Sequence, residues 1–342
     1  MSPEICFKKE LNKKGVAPED IVKLCYQAAF GAEHLIEDSE GVRKYFYDEF
    51  SNTQESDAPL YEEISENFVR VNLGAWKKRG LSPEYLFRLF VMKSSVHTEG
   101  EDGFYRYIDL AKKILSKEQK EDLDRYFENY IKGGLRAVSH SNEYKKANSP
   151  SYRLIDTYKA RIITILEKIT RLKKERCVIA IDGRAASGKS TAADILSFVT
   201  EADVIRMDDF FLPLSLRSHG RYEEAGGNIH YERFKDEIVD KISEENEISY
   251  GKFDCSVMDI TERITVKSNR LLIIEGVYSQ HPYFGNYADI KAFFDVDKTE
   301  QRERIIKRNG SEMAKRFESV WIPLEEKYYS EFRIKEKSDI VL

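Results

Sequence analysis

The sequence predicts two successive domains: an all-α domain over residues 1–154, and an α/β domain with a mainly parallel five-stranded sheet flanked by helices over residues 176–342. Two observations lead to this prediction. Helical periodicity dominates the first half, in which we identify no strand pattern. After about residue 175, short β-rich runs alternate with helical or loop segments, which is typical of a parallel sheet covered by helices.

The helices of the first half are predicted from their caps and apolar stripes. Pro18 and the two acidic residues after it begin one helix, and apolar residues follow at helical spacing. Ser82 caps a second helix that has Pro83 in its first turn. The run from Ile155 to Leu172 has an apolar stripe, so residues 155–175 are expected to form a helix that links the domains.

Five short apolar runs are expected to form the sheet of the second domain. They are continuous rather than alternating, which indicates strands covered on both faces. The runs are Cys177–Ile181, Val204–Ile205, Leu271–Ile274, Ala292–Val296 and Asp339–Leu342.

Composition argues against several classes of function. The net charge is −5, whereas domains that bind nucleic acid are usually basic. The apolar runs are shorter than the ~20 residues that cross a bilayer, and MSPEICFKKELNKK has charges where a signal peptide has an apolar core. The cysteines show no paired spacing for a disulfide framework or a zinc site. We therefore expect a cytoplasmic protein without a nucleic-acid or membrane partner.

The segment VIAIDGRAASGKST, from Val178 to Thr191, contains the most specific motif. It satisfies the Walker A pattern G-x-x-x-x-G-K-[ST], between an apolar strand and a helical run, and so predicts a P-loop NTPase fold. Its glycines let backbone N–H groups point at phosphate oxygens, and the helix N-terminus adds partial positive charge. Lys189 is expected to contact the terminal phosphates, and the Ser190 hydroxyl to hold Mg²⁺. The predicted nucleotide-binding residues are Gly183, Arg184, Ala185, Ala186, Ser187, Gly188, Lys189, Ser190 and Thr191.

Carboxylates follow two of the predicted strands. Asp208 and Asp209 come after the second strand in RMDDFF, and Glu275 ends the third in LLIIEG. Ligands bind at the carboxyl ends of strands in open α/β sheets, so these acids are expected near the phosphate loop. One acid of the pair can take a hydroxyl proton, and Glu275 has the place of a metal-side carboxylate. The alternatives are a loop turn or helix cap for the pair and a strand-end cap for Glu275.

A basic helical run, EQRERIIKR, follows the fourth predicted strand. Arg304 and Arg308 are four residues apart and share one helix face. A mobile segment with arginines can neutralise the charge on a transferring phosphoryl group and exclude water. A solvated charged face is the alternative, and the position after the fourth strand favours the catalytic interpretation.

These motifs, in this order, resemble the uridine kinase/phosphoribulokinase-like family of P-loop small-molecule kinases. IDGRAASGKST, MDDFF, GGNIHYERF, LLIIEGVYS and the arginine segment carry the resemblance, which covers about Cys177 to Leu342. It implies a phosphotransferase that uses ATP and Mg²⁺ and has a hydroxyl of a small metabolite as acceptor. A nucleoside-like acceptor is the first expectation, and a non-nucleoside sugar or a hydroxy acid is the alternative.

The resemblance also implies roles for individual residues. Asp208 corresponds to the general base, and Lys189 would act on the phosphates. Ser190 and Glu275 would be the metal-side residues. The arginines Arg304 and Arg308 would belong to a catalytic lid.

The acceptor segment departs from the family's pattern. Uridine kinases usually have an aspartate for the ribose hydroxyls where this chain has His230, and a Tyr and a His where it has Phe253 and Met258. A neutral imidazole has one donor and one acceptor, so it does not replace a carboxylate that accepts two hydroxyls. The residues expected to bind the acceptor are Asp208, Asp209, His230, Phe253 and Met258, and they leave its identity open.

The first half contains a second set of polar residues. Glu33 and His34 follow a glycine that interrupts a helix, and His140 and the run SPSYR lie in a polar loop before the linking helix. Such a set can bind an anion or a polar ligand, and a structural hydrogen bond is the alternative for each histidine. This half is similar to a helical module fused to such kinases in bacteria. It could shape the acceptor site, sense a metabolite or mediate dimerisation, which leaves a homo-oligomer open.

A regulatory protein is the alternative to an enzyme. In it, ATP bound to the phosphate loop would change how the helical domain binds a partner. A GTPase switch is disfavoured, because the sequence has no Asn-Lys-x-Asp motif for guanine.

Overall fold

The computed structural model describes residues 3–32, 39–94, 96, 98–268 and 270–342. The chain divides into two units, Met1–Arg161 and Ile162–Leu342, so the division falls inside the segment expected to link the domains. Of the helices in the described ranges, none is long and apolar enough to cross a membrane.

The first unit is mainly helical. Its helices enclose an apolar core whose largest fully buried side chains include Phe7, Phe46, Trp76 and Phe104. The helices are α1 (Pro3–Leu11), α2 (Pro18–Phe30), α3 (Ser39–Asn52), α4 (Leu73–Lys78), α5 (Pro83–Val91), α6 (Gly100–Ile114), α7 (Lys117–Lys132), α8 (Asn142–Asn148) and α9 (Thr157–Arg161).

A small antiparallel sheet in this unit corrects the expectation of an all-α domain. Its strands are β1 (Tyr61–Glu63), β2 (Phe68–Asn72) and β3 (Tyr152–Asp156), in the order β1-β2-β3. The central strand is short and contains a buried arginine, Arg70, so it shows neither alternation nor an apolar run. Its register with β3 joins Val71 to Arg153, which are far apart in sequence. The sequence therefore has no local periodicity that predicts this strand.

The linking helix is also corrected. Ile155, where the helix was expected to begin, belongs to β3. The rest of the segment that was expected to be one helix consists of two helices, α9 in the first unit and α10 (Ile163–Leu172) in the second. The α-helical pattern breaks between Arg161 and Ile163.

The second unit contains the predicted parallel sheet. The strands are β4 (Cys177–Gly183), β5 (Asp203–Arg206), β8 (Leu271–Glu275), β9 (Ile290–Phe294) and β10 (Ile340–Val341), and all their pairings are parallel, in the order β10-β9-β4-β8-β5. All residues of β4, the central strand, are buried. The helices of the second unit that follow α10 are α11 (Lys189–Thr200), α12 (His219–Glu223), α13 (Tyr231–Phe234), α14 (Lys298–Arg316), α15 (Ile322–Phe332) and α16 (Ile334–Lys337).

A β-hairpin in this unit was not predicted. It joins β6 (Glu247–Asp254) to β7 (Asp259–Lys267) in antiparallel register, with an irregularity between Lys252 and Phe253. The residues of β7 are mostly polar and exposed, so its sequence lacks the apolar run by which the other strands were identified.

Two glycines shape the elements that carry the candidate site. Gly183 ends β4 with φ 136°, and a Cβ there would lie 2.1 Å from the carbonyl oxygen of Phe294. Only glycine fits this close approach of two backbones. Gly310, with φ 80°, interrupts α14, so the first part of this helix, with both predicted lid arginines, is separate in direction from its last turns.

Candidate functional site

Three strand ends bring the predicted phosphate loop and the acidic residues to one edge of the sheet. In the parallel register, Glu275 at the end of β8 lies beside Ile181 of β4 on one side and Arg206 of β5 on the other. The phosphate loop begins two residues after Ile181, and Asp208 follows two residues after Arg206. Strands β4, β8 and β5 therefore end together at the kind of edge where open α/β sheets bind ligands.

The loop between β4 and α11 presents a helix N-terminus and a lysine. Gly188 caps α11 in a left-handed conformation (φ 96°) and has no side chain to occupy the first N–H groups of the helix. Those N–H groups have no intrahelical acceptor and carry partial positive charge. Lys189 begins the helix, is buried, and donates from Nζ to the Arg184 carbonyl oxygen at 2.9 Å. The arrangement suits an anion with several oxygens.

The remaining loop residues contact the rest of the second unit. Arg184, expected to bind nucleotide, pairs through Nε with Asp295 at 2.7 Å and also contacts Glu326. Ser187 is fully buried, and its hydroxyl has no hydrogen-bond partner among the described residues. Ala186 has φ 58°, which helps to turn the loop. The arginine side chain thus holds the loop to the end of β9, while the backbone forms the candidate phosphate cradle.

Ser190 and Glu275, the two residues predicted to lie on the metal side, are in direct contact. The Ser190 hydroxyl donates to Glu275 Oε1 at 3.1 Å, and Arg206 donates to Glu275 Oε2 at 2.5 Å. Arg206 also pairs with Asp194 on α11. A hydroxyl and a carboxylate are oxygen ligands of the kind that Mg²⁺ prefers. In the described ranges, no group of three or more His, Cys, Asp or Glu residues could hold a metal ion. One hydroxyl and one carboxylate are a donor set that fits Mg²⁺, a cation that commonly takes its other ligands from water and phosphate.

The two adjacent aspartates have different surroundings. Asp208 is exposed to solvent, yet desolvation by nearby protein atoms and the negative charge of Glu275 raise its pKa. Of these two causes, the negative charge of Glu275 raises the pKa of Asp208 whether or not the side chain is buried. Asp209 is buried and accepts a hydrogen bond from the Tyr250 hydroxyl at 3.1 Å. Asp208 is thus the acid available to a ligand, while Asp209 is tied to β6.

The predicted lid contacts the loop through one of its two arginines. Arg304 Nη1 donates to the Ala186 carbonyl oxygen at 3.1 Å, and the neighbouring Gln301 donates to the Ala185 carbonyl oxygen at 3.0 Å. Arg308, one turn further on, is exposed and bonds the adjacent Asn309 side chain at 2.8 Å. The structure therefore brings Arg304, and not Arg308, to the phosphate loop.

Two buried carboxylates support the loop from behind. Glu325 of α15 accepts a hydrogen bond from the Ala185 N–H at 3.0 Å, and burial raises its pKa to about 7. Asp182 is fully buried and accepts from the N–H of Gly183 at 2.7 Å and from the Tyr328 hydroxyl at 2.9 Å. Burial also raises the pKa of Asp182, to about 6. Both acids fix backbone groups of the loop rather than face a ligand.

The predicted acceptor residues are only partly brought together. The 3₁₀ turn Met207–Phe210 contains Asp208 and Asp209 and is called the acidic turn. The His230 N–H donates to the Phe210 carbonyl oxygen at 2.7 Å, which places the histidine beside this turn. Phe253 is buried in β6, the strand that contacts the turn through Tyr250. Met258 lies in the hairpin turn with φ 60°, and its N–H donates to the Asp254 carbonyl oxygen at 2.7 Å. Met258 is therefore a residue of the hairpin turn.

Sequence reasoning missed three residues of this site. Arg206 holds Glu275, and its place directly before the acidic pair at a strand end could have identified it. Tyr250 and Glu325 had no local signal, because each meets its partner across a long stretch of chain. In the first half, His140 is described and Glu33 and His34 lie outside the described residues.

No family model and no curated protein matches this chain. Solved structures that are similar to it include two that are named as kinases. One, from Bacillus stearothermophilus, is named as a possible uridine kinase; it is 21% identical, covers 54% of this chain and 98% of its own, and has a TM-score of 0.42. The other, from Silicibacter sp. TM1040, is named as a candidate fructose transport system kinase; it is 19% identical, covers the same shares, and has a TM-score of 0.43.

Proposed function

We propose that the second unit is an ATP-dependent kinase that transfers the γ-phosphoryl group to a hydroxyl of a small metabolite. One observation carries the proposal: the phosphate loop, the Ser190–Glu275 pair and the solvent-exposed Asp208 lie at adjacent strand ends of one sheet. Bound ATP with Mg²⁺ would supply the phosphoryl group and part of the charge neutralisation.

The residues of the chain would divide the remaining work. Lys189 and the N-terminus of α11 would bind and orient phosphate oxygens. Ser190 and Glu275 would hold the metal side. Asp208 would accept the proton of the acceptor hydroxyl, because its raised pKa makes it a stronger base than an ordinary aspartate. Arg304 would close over the phosphates and stabilise their charge.

The acceptor is proposed to bind between the acidic turn and the β6–β7 hairpin. Three predicted acceptor residues support this proposal by their positions: Asp209 bonds Tyr250 of β6, the His230 N–H bonds Phe210, and Phe253 lies on β6. A nucleoside-like molecule is the first acceptor to test, and sugars and hydroxy acids are the next. A cytoplasmic location and a homo-oligomeric state stay predictions.

The test is a screen of ATP consumption over nucleosides, sugars, polyols and hydroxy acids, with Lys189→Ala as the blank. With the acceptor found, Asp208→Asn should keep ATP binding and lose about 10²–10⁴-fold in phosphoryl transfer. Near-normal turnover in that variant would reject the role of Asp208. ATP consumption that no acceptor stimulates, together with nucleotide-dependent binding of a protein partner, would instead identify a regulatory ATPase.

A further inference from the structure

The first unit contains a large open cavity, of about 1370 Å³. Every lining residue in the described part of the chain belongs to this unit, and none of them belongs to the candidate kinase site. Its walls come from α2, from the region around α3, and from the loop and strand before α9. Many of the lining side chains are polar, among them Lys23, Gln27, Asn52, His140, Asn148 and Tyr152. A cavity with this lining suits a polar small molecule.

One wall of the cavity is fixed by a buried ion pair. Arg70 donates to Glu10 at 2.7 Å and, through two nitrogens, to Gln27 Oε1 at 3.1 and 2.7 Å. The guanidinium also lies 4.6 Å from the centroid of the Tyr152 ring. The two hydrogen bonds from Arg70 to Gln27 are both accepted by the amide oxygen of Gln27. Among the described residues, its Nε2 amide makes no hydrogen bond, which leaves a donor on a side chain that lines the cavity.

A second chain of hydrogen bonds fixes the histidine that the sequence singled out. His140 Nδ1 lies 2.7 Å from Asp20 Oδ1, and its Nε2 lies 2.8 Å from the Tyr152 hydroxyl. Asp20 also accepts from the N–H and the hydroxyl of Ser141. Burial lowers the pKa of His140, which favours the neutral ring, with a proton on Nδ1 for Asp20 and a lone pair on Nε2 for Tyr152. The histidine is therefore a fixed part of the wall.

Lys23 differs from these paired groups. Its Nζ donates to the Val138 carbonyl oxygen at 3.1 Å, and in the described part of the chain it forms no ion pair with a carboxylate. Burial, and the positive charges of Arg70 and Lys145, lower its pKa to about 8, although the Asp20 carboxylate opposes that shift. A partly buried ammonium without an ion-pair partner is stabilised by an anion that enters the cavity.

We propose that this cavity binds a small polar metabolite through an anionic group, a phosphate or a carboxylate, that contacts the Lys23 ammonium. The Gln27 amide is the neighbouring donor, and the Asp20–His140–Tyr152 chain keeps the wall rigid when the ligand is bound. Neither Lys23 nor Gln27 belongs to the phosphate loop, so the proposal stands or fails separately from the proposed kinase activity.

The test measures binding of inorganic phosphate and of acetate to the full chain by titration calorimetry. All samples carry Lys189→Ala, which weakens anion binding at the phosphate loop. Lys23→Met removes the charge and keeps the aliphatic stem, and Lys117→Met, at an exposed lysine of α7, is the matched control. We expect Lys23→Met to weaken binding by about tenfold or more, and Lys117→Met to leave it unchanged. A preference for phosphate indicates a phosphorylated ligand, and a preference for acetate a carboxylate.

Two outcomes overturn the proposal: neither anion binds to the Lys189→Ala chain, or the Lys23→Met and Lys117→Met variants bind equally well. A measurement without a substitution at Lys23 covers the case in which that variant does not fold. In the Lys189→Ala chain with ¹³C-methylated lysines, phosphate or acetate should raise the pKa of the assigned Lys23 resonance. A pKa unchanged by both anions would also refute the site.

Discussion

The Ser190 hydroxyl donates a hydrogen bond of 3.1 Å to Oε1 of Glu275, which joins the first turn of α11 to the end of β8. The other carboxylate oxygen accepts from Arg206 at 2.5 Å, at the end of the neighbouring strand. The orientation of Glu275 is therefore set by two elements, and its negative charge is held next to the hydroxyl proposed to bind Mg²⁺.

Glu275→Gln should raise the Mg²⁺ concentration needed for half-maximal activity by about 10–100-fold. The amide keeps the shape of the side chain but removes the charge that attracts the cation and fixes Ser190. The measurement is a titration of kinase activity with Mg²⁺ at saturating ATP. Asp194→Asn is the control, because Asp194 also pairs with Arg206 but is largely exposed. Equal Mg²⁺ requirements in the two variants would contradict the metal role of Glu275.

The activity should fall on the acid side at a higher pH than the titration of an ordinary aspartate. Asp208 must be ionised to accept a proton, and its raised pKa means that it becomes protonated earlier as the pH falls. Glu275→Gln removes a negative charge that contributes to this shift, so the acid limb of the kcat/KM profile should move to lower pH. A limb that stays in place in this variant would show that Asp208 does not set it.

The two predicted lid arginines should differ in importance. Arg304 contacts the Ala186 carbonyl oxygen, whereas Arg308 is exposed. Arg304→Lys keeps the positive charge but loses the planar fork, so the proposed contact with the phosphates should weaken and kcat should fall by about tenfold or more. Arg308→Lys should change kcat by less than about twofold. Steady-state kinetics at saturating substrates measure both, and a larger loss at Arg308 would mean that the lid rearranges before transfer.

The phosphate loop and the strand ends could be predicted because their signals are local. Gly183 to Ser190 form one continuous motif, and Glu275 ends an apolar run, so the sequence itself places them in a strand–loop–helix and at a strand end. The parallel direction of the strands then follows from the alternation of strands and helices along the chain. These features needed no knowledge of distant contacts.

Contacts between distant segments account for the features that could not be predicted. The Ala185 N–H donates to Glu325, which lies 140 residues further along the chain, and no periodicity of the sequence links the two residues. Similarly, strand β2 contains Arg70, whose buried guanidinium pairs with Glu10 of α1 and Gln27 of α2. A charged residue in a five-residue run argues against a buried strand until those partners are known.

Glu325→Gln should stabilise the chain progressively as the pH rises. The pKa of this glutamate is 4.5 when unperturbed and about 7 in the folded state, so the native protein binds a proton that the unfolded chain releases. Ionisation therefore opposes folding between these two pH values, and the full cost above pH 7 is about 3 kcal/mol. A glutamine pays no such cost and its oxygen can still accept from the Ala185 N–H.

Urea unfolding followed by circular dichroism at pH 5 and pH 8 measures this effect. The free energy of unfolding of Glu325→Gln, relative to the wild type, should be larger at pH 8 than at pH 5. The matched control is Glu331→Gln, at an exposed glutamate on the same helix, which should show no such pH dependence. If Glu325→Gln instead loses stability as the pH rises, then Glu325 is ionised in the native state and holds the loop by charge, because only a lowered pKa gives that sign.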